Sequence, residues 1–282
     1  MRGGRPPGNG QRNSRFALLR RHARAGWRLA SRRVSELLAL QETLYTSRNP
    51  TRRWLHVTRR ARIEATLRRA ASAAGPGRAL EVGPGSGVYL PLLCELFDQV
   101  VASDVEEAFL AHARELARVH PNLEAVADDI TASRLPRGSF DVILCSEVIE
   151  HIPDSAGALR AMRELLRPGG LLVLSTPQRH SPLEVAGRIA FLPGIVTLVR
   201  AVYREPILAT GHINLLTAEE VRRQLAAAGL DVLESAQSGV YLPLVAEFGG
   251  RFGLKLERWI ERRITGGRMS GLLWVQYYLA RA

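Results

Sequence analysis

Short apolar runs alternate with amphipathic segments along most of the chain. Nearly continuous apolar runs are typical of parallel strands covered on both faces, and apolar residues three or four positions apart are typical of helices. Strands are predicted at 78–82, 99–103, 123–127, 140–145, 171–176 and 230–236, and a last one at "LLWVQYYLA". Helices are predicted near 88–97, 105–118, 146–151, 155–167, 217–228 and 247–263. This strand–helix alternation predicts an α/β fold with a doubly wound sheet.

The N-terminal part of the chain has a different pattern. Residues 1–13 are rich in Gly, Pro and Arg and are predicted to be a disordered tail. Residues 14–76 are predicted to be a basic helical arm, with one amphipathic helix in 14–45 and a second that begins near Pro50. We expect residues 77–282 to form one domain, which an apolar, proline-broken lid insertion interrupts at 181–210.

The net charge of +12 belongs to the N-terminal arm. Residues 1–80 carry 19 arginines against 3 glutamates, whereas residues 81–282 carry 20 basic and 24 acidic residues. A basic amphipathic helix can lie on an anionic membrane, dock on its own domain or another copy, or contact nucleic-acid phosphates. These interpretations stay open, although nucleic acid ranks last because the chain has no recognisable nucleic-acid-binding module.

Two features bear on the compartment. No apolar stretch is long enough to span a membrane, and the N-terminus lacks the apolar core of a signal peptide. Cys94 and Cys145 lie in apolar runs and form neither a zinc pattern nor a disulfide framework. We therefore expect a cytoplasmic protein, peripheral at the inner face of the membrane if 14–45 or 181–210 binds lipid.

The stretch "ALEVGPGSGVY" at 79–89 follows a predicted strand and precedes a predicted helix. Gly83 and Gly85 allow a tight turn that a ligand can touch, and Gly87 allows close packing where the helix begins. Glu81 would repel a phosphate, so the expected ligand is cationic or zwitterionic rather than a pyrophosphate. A tight turn without a ligand is the alternative.

Aspartates follow the next two strands. Asp104 lies 21 residues after Gly83, where a carboxylate can accept both hydroxyls of a ribose. Asp129 can accept from an adenine amine, and the backbone N–H of Ile130 can meet a ring nitrogen. Each aspartate could instead cap a helix.

Together these motifs resemble the class I S-adenosylmethionine-dependent methyltransferases. The segments "ALEVGPGSG", "VVASDV", "DDIT", "LPRGSFDVILCSEVIEHI" and "LLRPGGLLVLSTP" have the order and spacing found in the branch that includes the ubiquinone-biosynthesis O-methyltransferases. The resemblance is strong over 78–180, and residues 211–230 resemble the segment that follows the lid in that branch. It implies a Rossmann-like, seven-strand mixed sheet whose last strand is antiparallel, with S-adenosylmethionine as cofactor.

The resemblance also implies which residues hold that cofactor. The methionine part and the sulfonium would lie against Glu81 and the three glycines of the turn. Asp104 would bind the ribose, and Asp129 with Ile130 the adenine. Val105 and Ser146 are further candidate cofactor-binding residues.

The segment "SEVIEH" at 146–151 carries the candidate chemistry. If it is helical, Glu147, Glu150 and His151 share one face and can hold a divalent cation. The resemblance to the quinone O-methyltransferases makes magnesium the expected ion, while the alternative is that His151 only packs near the cofactor. His151, Glu147 and His212 are the candidate catalytic residues, and His180 is a further candidate base.

The expected activity is therefore methyl transfer from S-adenosylmethionine to an oxygen of a small acceptor. The apolar insertion at 181–210 suits a hydrophobic acceptor of the quinone, lipid or secondary-metabolite kind. Three alternatives stay open: an RNA or protein methyltransferase that uses the basic arm, a nicotinamide-dependent reductase, and a cofactor-binding subunit without turnover.

Overall fold

A computed structural model of the chain describes residues 43–190 and 212–282. The predicted tail at 1–13, most of the helix predicted in 14–45 and most of the insertion at 181–210 lie outside the described residues. The predictions made for those segments therefore stay predictions.

Seven strands form one mixed sheet in the order β3-β2-β1-β4-β5-β7-β6. The strands are β1 (Arg78–Val82), β2 (Gln99–Asp104), β3 (Leu123–Ala127), β4 (Phe140–Ser146), β5 (Leu166–Pro177), β6 (Asp231–Ser238) and β7 (Val275–Arg281). The first five are parallel, whereas β7 lies antiparallel between β5 and β6. The seven-strand mixed sheet with an antiparallel last strand is thus confirmed.

Besides the helical residues 43–46, eight α-helices connect or flank the strands in the described residues. They are α1 (Pro50–Ala74), α2 (Leu90–Leu96), α3 (Glu107–Ala117), α4 (Ser155–Leu165), α5 (Pro182–Ala190), α6 (Ala218–Ala227), α7 (Pro243–Phe248) and α8 (Gly250–Ile264). Local signals explain two of the starts: the Asn49 side chain accepts from the first N–H groups of α1, and Thr217 with Glu220 forms a capping box on α6.

Each face of the sheet is covered by an apolar layer. On one face α1 and α2 bury Ile63, Leu67 and Leu93, so this helix of the predicted arm packs against the domain. On the other face α4 and α6 bury Leu159 and Leu225 among others. Because both faces are covered, the central strands have nearly continuous apolar sequences. A ligand can approach the sheet at the carboxyl ends of the strands.

The helix predicted at 146–151 is wrong. Ser146 is the last residue of β4, Glu147 has a backbone φ of 57°, and only Ile149–His151 forms a single 3-10 turn. Val148 lies against Gly83, so the chain has to turn sharply as it leaves the strand. The helix predicted near 247–263 begins at Gly250 and is preceded by the separate helix α7.

Candidate active site

The glycine turn after β1 lies directly beside the segment that follows β4. Gly83, Gly85 and Gly87 all have positive φ, between 52° and 66°, a region that residues with a side chain rarely adopt. A Cβ on Gly83 would lie 2.6 Å from Cγ2 of Val148. The backbone angles of the turn therefore favour glycine at all three positions. At Gly83, Val148 also leaves no room for a side chain.

Glu81, at the end of β1, is a buried carboxyl without a counter-charge. Its Oε2 atom is inaccessible and has no hydrogen-bond partner in the described part of the chain. Burial raises the pKa of Glu81 to about 8. A bound cation would compensate this carboxylate, which is what the sequence led us to expect of the ligand.

The two aspartates occupy the ends of the neighbouring strands. Asp104 is half-buried, burial raises its pKa, and its Oδ1 accepts from the backbone N–H of Glu106 at 2.8 Å. Asp129 Oδ1 accepts from the N–H of Thr131 at 2.9 Å and so caps the short 3-10 turn that starts at the buried Ile130. The capping role is therefore present for Asp129, and its role toward adenine stays a prediction. Val105 is exposed beside Asp104.

Glu147 is held by two donors from different parts of the fold. Its Oε2 accepts from Nη1 of Arg59 on α1 at 2.9 Å, and its Oε1 accepts from the hydroxyl of Ser175 on β5 at 2.9 Å. Ser175 also lies 3.0 Å from the hydroxyl of Ser146. Burial would by itself lower the pKa of Arg59, but the Glu147 carboxylate and nearby tyrosines together outweigh it and raise that pKa.

A second polar group surrounds the 3-10 turn. Glu150 is fully buried; its Oε2 accepts from the hydroxyl of Thr176 at 3.0 Å, and its Oε1 has no partner in the described residues. Burial, and then the charge of Glu147, raises the pKa of Glu150. The exposed ring of His151 lies 5.2 Å, centroid to centroid, from the ring of His212.

His212 is brought to this place by backbone contacts. The carbonyl oxygen of Glu150 accepts from the N–H groups of Ile213 and Asn214, both at 3.0 Å. Nδ1 of His212 lies 3.0 Å from Oε2 of the buried Glu184 on α5. Because a carboxylate only accepts, this contact makes Nδ1 the donor and leaves Nε2 of a neutral His212 with its lone pair.

The structure groups two of the three predicted metal ligands with a different third residue. Glu150 and His151 lie together, but the third residue beside them is His212 and not Glu147: one potential ligand atom from each of the three lies within 4.8 Å of the others. Glu147 is occupied by Arg59 and Ser175 because the segment is not a helix. His180, exposed beyond the end of β5, is not among the three grouped residues.

Several residues of the site were not found from the sequence. Arg59 is one of nine arginines in residues 43–80, and nothing in the sequence separates it from the other eight. Glu184 lies within the predicted insertion, whose apolar character gives no signal for a buried carboxylate. Tyr89 is buried at the end of the glycine stretch, where burial raises its pKa.

Known proteins show the same architecture and share part of the sequence. A family model described as a methyltransferase domain matches residues 54–235. A probable S-adenosylmethionine-dependent methyltransferase of Mycolicibacterium smegmatis is 32% identical over 206 residues, which are 72% of this chain and 71% of that protein. A ubiquinone biosynthesis O-methyltransferase of Pseudomonas paraeruginosa is 38% identical over 107 residues, only 36% of this chain and 44% of that protein.

Solved structures agree at the level of the fold. The crystal structure of a putative sarcosine dimethylglycine methyltransferase from Galdieria sulphuraria has a TM-score of 0.55 at 14% identity, covering 82% of this chain and 87% of that one. A match at this identity shows the fold alone. The family model, in contrast, spans well over half of the chain and includes the glycine turn and the ends of all five parallel strands. The chain therefore belongs to the S-adenosylmethionine-dependent methyltransferases.

Proposed function

We propose that this enzyme methylates a hydroxyl oxygen of a small, hydrophobic acceptor, and that His212 takes the proton from that hydroxyl. The observation that carries the proposal is the contact of His212 Nδ1 with Glu184 Oε2 at 3.0 Å, beside His151 and the turn that follows β4. This arrangement leaves a basic ring nitrogen next to the strand ends where class I enzymes bind their cofactor.

The residues at the strand ends fit S-adenosylmethionine, which supplies an electrophilic methyl group when bound. The unpaired, buried carboxyl of Glu81 suits a cation, and the glycine turn offers backbone without side chains. We assign the methionine part to Glu81, Gly83, Gly85 and Gly87. The nucleoside would be held by Asp104, Val105, Asp129, Ile130 and Ser146.

Transfer to a hydroxyl requires a place for its proton. As the oxygen–carbon bond forms and the carbon–sulfur bond breaks, the acceptor oxygen loses its hydrogen, and a nearby base lowers the barrier by taking it. His212 is suited to this because Glu184 orients the ring and stabilises the imidazolium that results. His151 lies beside it and is assigned to lining the acceptor site.

Glu147 has a different role in this proposal. Both of its carboxylate oxygens accept hydrogen bonds, and the charge of Arg59 compensates its own. Both oxygens are thus directed at Arg59 and Ser175 and not at an acceptor hydroxyl. We therefore assign Glu147 to fixing the shape of the site and not to proton transfer.

The grouped residues do not fit magnesium. Glu150, His151 and His212 offer one carboxylate and two imidazoles, whereas magnesium prefers oxygen ligands in octahedral geometry. Such a donor set is closer to what transition metals bind. We derive no step through a metal ion.

A hydrophobic acceptor is supported by two observations. The insertion between Glu184 and His212 is rich in apolar residues, and α5, at its start, exposes Val185 and Ile189. The second observation is the similarity to a ubiquinone biosynthesis O-methyltransferase, which extends over 36% of the chain.

We also propose that the segments 14–45 and 181–210 contact a membrane, as the sequence predicts. None of the described helices combines the length and apolarity that a membrane crossing requires.

Methyl transfer from radiolabelled S-adenosylmethionine into an extract of host cells tests this function. We expect label in the organic-solvent phase, stable to alkaline hydrolysis as an ether is, and absent with an Asp104→Ala variant. Label only in the aqueous phase would overturn the hydrophobic acceptor. Label released by alkali as methanol would indicate a methyl ester and overturn the hydroxyl as nucleophile.

A further inference from the structure

The helices α7 and α8 expose a row of large apolar side chains to solvent. Leu244 and Phe248 of α7 are 71% and 69% exposed, and Phe252, at the start of α8, is 77% exposed. Leu256 and Trp259 continue the row with spacings of four and three residues, so that they share one side of α8 with Phe252. Large apolar side chains exposed together on two consecutive helices indicate an interaction site. We call it the α7–α8 face.

The acidic residues of α8 point the other way, into the protein. Glu257 is buried and accepts from the hydroxyl of Thr51 at 2.6 Å and from the N–H of Leu242 at 2.8 Å. Glu261 accepts from the N–H of Gly239 at 2.9 Å. Both carboxylates thus anchor α8 to the domain and do not contribute charge to its outer side.

The exposed charges of α8 are consequently all positive. They belong to Arg251, Lys255, Arg258, Arg262 and Arg263. At 100° per residue the first four form one flank of the apolar row. The guanidinium of Arg263 lies 5.1 Å from the ring centroid of Trp259, within the row itself.

The α7–α8 face cannot turn inward. The backbones of the two helices meet at Gly253, where a Cβ would lie 2.5 Å from the carbonyl oxygen of Val245. This close approach, together with the anchors made by Glu257 and Glu261, fixes the apolar row on the outer side.

We propose that the α7–α8 face docks on the surface of a membrane that contains anionic lipids. Aromatic and aliphatic side chains on one side of a helix, flanked by arginine and lysine, match the boundary between acyl chains and phosphate groups. A second copy of the chain would bring two cationic flanks together. Residues 1–42, with 10 arginines and 2 glutamates, have the same sign of charge and are a poor partner as well.

This inference rests on residues outside 14–45 and 181–210 and does not depend on the identity of the acceptor. It predicts that the full-length protein sediments with vesicles of phosphatidylcholine and phosphatidylglycerol in equal amounts, and less with phosphatidylcholine alone. Because the apolar row supplies the insertion, Phe252→Ser combined with Trp259→Ser is expected to lower the partition coefficient about tenfold or more. Val119→Ser, which removes a 71% exposed apolar side chain elsewhere, is the matched control.

The charges are tested in the same way. Arg258→Glu with Arg262→Glu is expected to weaken binding to the anionic vesicles about tenfold or more. Arg68→Glu with Arg223→Glu, on α1 and α6, is the control because it gives the protein the same net charge as the first double variant. This control should bind near the wild-type level. Variants that bind like wild type would overturn the proposal by placing the contact elsewhere. Absence of wild-type binding, or a dimer that Phe252→Ser with Trp259→Ser converts to monomer, would overturn it too.

Discussion

Nη1 of Arg59 donates a hydrogen bond of 2.9 Å to Oε2 of Glu147, and this contact joins α1 to the residue that follows β4. Among the described residues, Glu147 is the one non-glycine residue with a positive φ, at 57°. Such a backbone costs free energy and persists where the surroundings hold it in place. The hydrogen bonds from Arg59 and Ser175 keep Glu147 in this conformation. The helix α1, which carries Arg59, therefore helps to shape the candidate site.

Arg59→Met is therefore expected to destabilise the protein. It keeps most of the side-chain volume but leaves Glu147 half-buried without its cation, which we expect to lower the free energy of unfolding by about 2 kcal/mol. Urea unfolding measures the change. Arg60→Met is the matched control, because Arg60 pairs with Glu64 on the exposed side of α1 and its loss should cost less than about 0.5 kcal/mol. Equal effects of the two substitutions would contradict the role given to Arg59.

Gly83→Ala should lower the free energy of unfolding by more than its positive φ alone explains. The new Cβ would meet Val148 Cγ2 at 2.6 Å, in addition to adopting a φ of 66°. Gly138 has nearly the same φ, 63°, with nothing within 4 Å, so Gly138→Ala isolates the backbone cost of about 1–2 kcal/mol.

A double-mutant cycle separates the two effects. Val148→Ala removes the clashing methyl group, and the combination with Gly83→Ala should be less destabilising than the sum of the single changes. Strict additivity in urea unfolding would show that Gly83 and Val148 are not in contact. Binding of S-adenosylmethionine should weaken with Gly83→Ala and remain unchanged with Gly138→Ala.

Glu81 should make the unliganded protein less stable as the pH rises. Its pKa is about 8 in the folded protein against an ordinary value of 4.5, so the folded state binds the extra proton between these values. The stability that this proton supplies is complete below about pH 4.5 and is lost as the pH approaches 8. Glu81→Gln should flatten the fall in unfolding free energy between about pH 6 and pH 8. Because Glu150, whose pKa is also raised, remains in both proteins, equal slopes would mean that Glu81 is not the group responsible.

The positions in the fold of the residues assigned to the cofactor could largely be predicted, because their signals are local. The turn at Gly83 to Gly87 follows a short apolar strand, and each of Glu81, Asp104 and Asp129 lies at or just after a strand end that is visible in the sequence. Parallel neighbours bring such ends to one edge without further information.

The acceptor side could not be predicted in the same way. The backbone at Glu147 depends on the approach of Val148 to Gly83, a contact between segments that lie far apart in the sequence. Likewise, Glu184 and His212 lie 28 residues apart and meet because the Glu150 carbonyl oxygen holds the chain at Ile213. The periodicity of a sequence does not predict contacts of this kind. The helix expected at 146–151 therefore grouped Glu147 with Glu150 and His151, where the structure has His212 instead.

His212→Ala is expected to lower kcat about a hundredfold, because the hydroxyl proton then lacks its acceptor in the transition state. The affinity for S-adenosylmethionine should stay near that of wild type, since Glu81 and the glycine turn are untouched. Added imidazole should restore part of the activity of this variant, which a merely structural role of His212 would not allow. His180→Ala, which removes an exposed histidine outside the group, should have little effect.

Glu184→Gln tests the partner of His212. The amide keeps the size of the side chain but cannot stabilise an imidazolium, so kcat should fall about tenfold with little change in KM. The combination of His212→Ala with Glu184→Gln should be no slower than His212→Ala alone, because Glu184 acts through the ring that is already absent. A further loss in the double variant, or failure of imidazole to rescue His212→Ala, would show that the two residues do not work as a base and its positioning group.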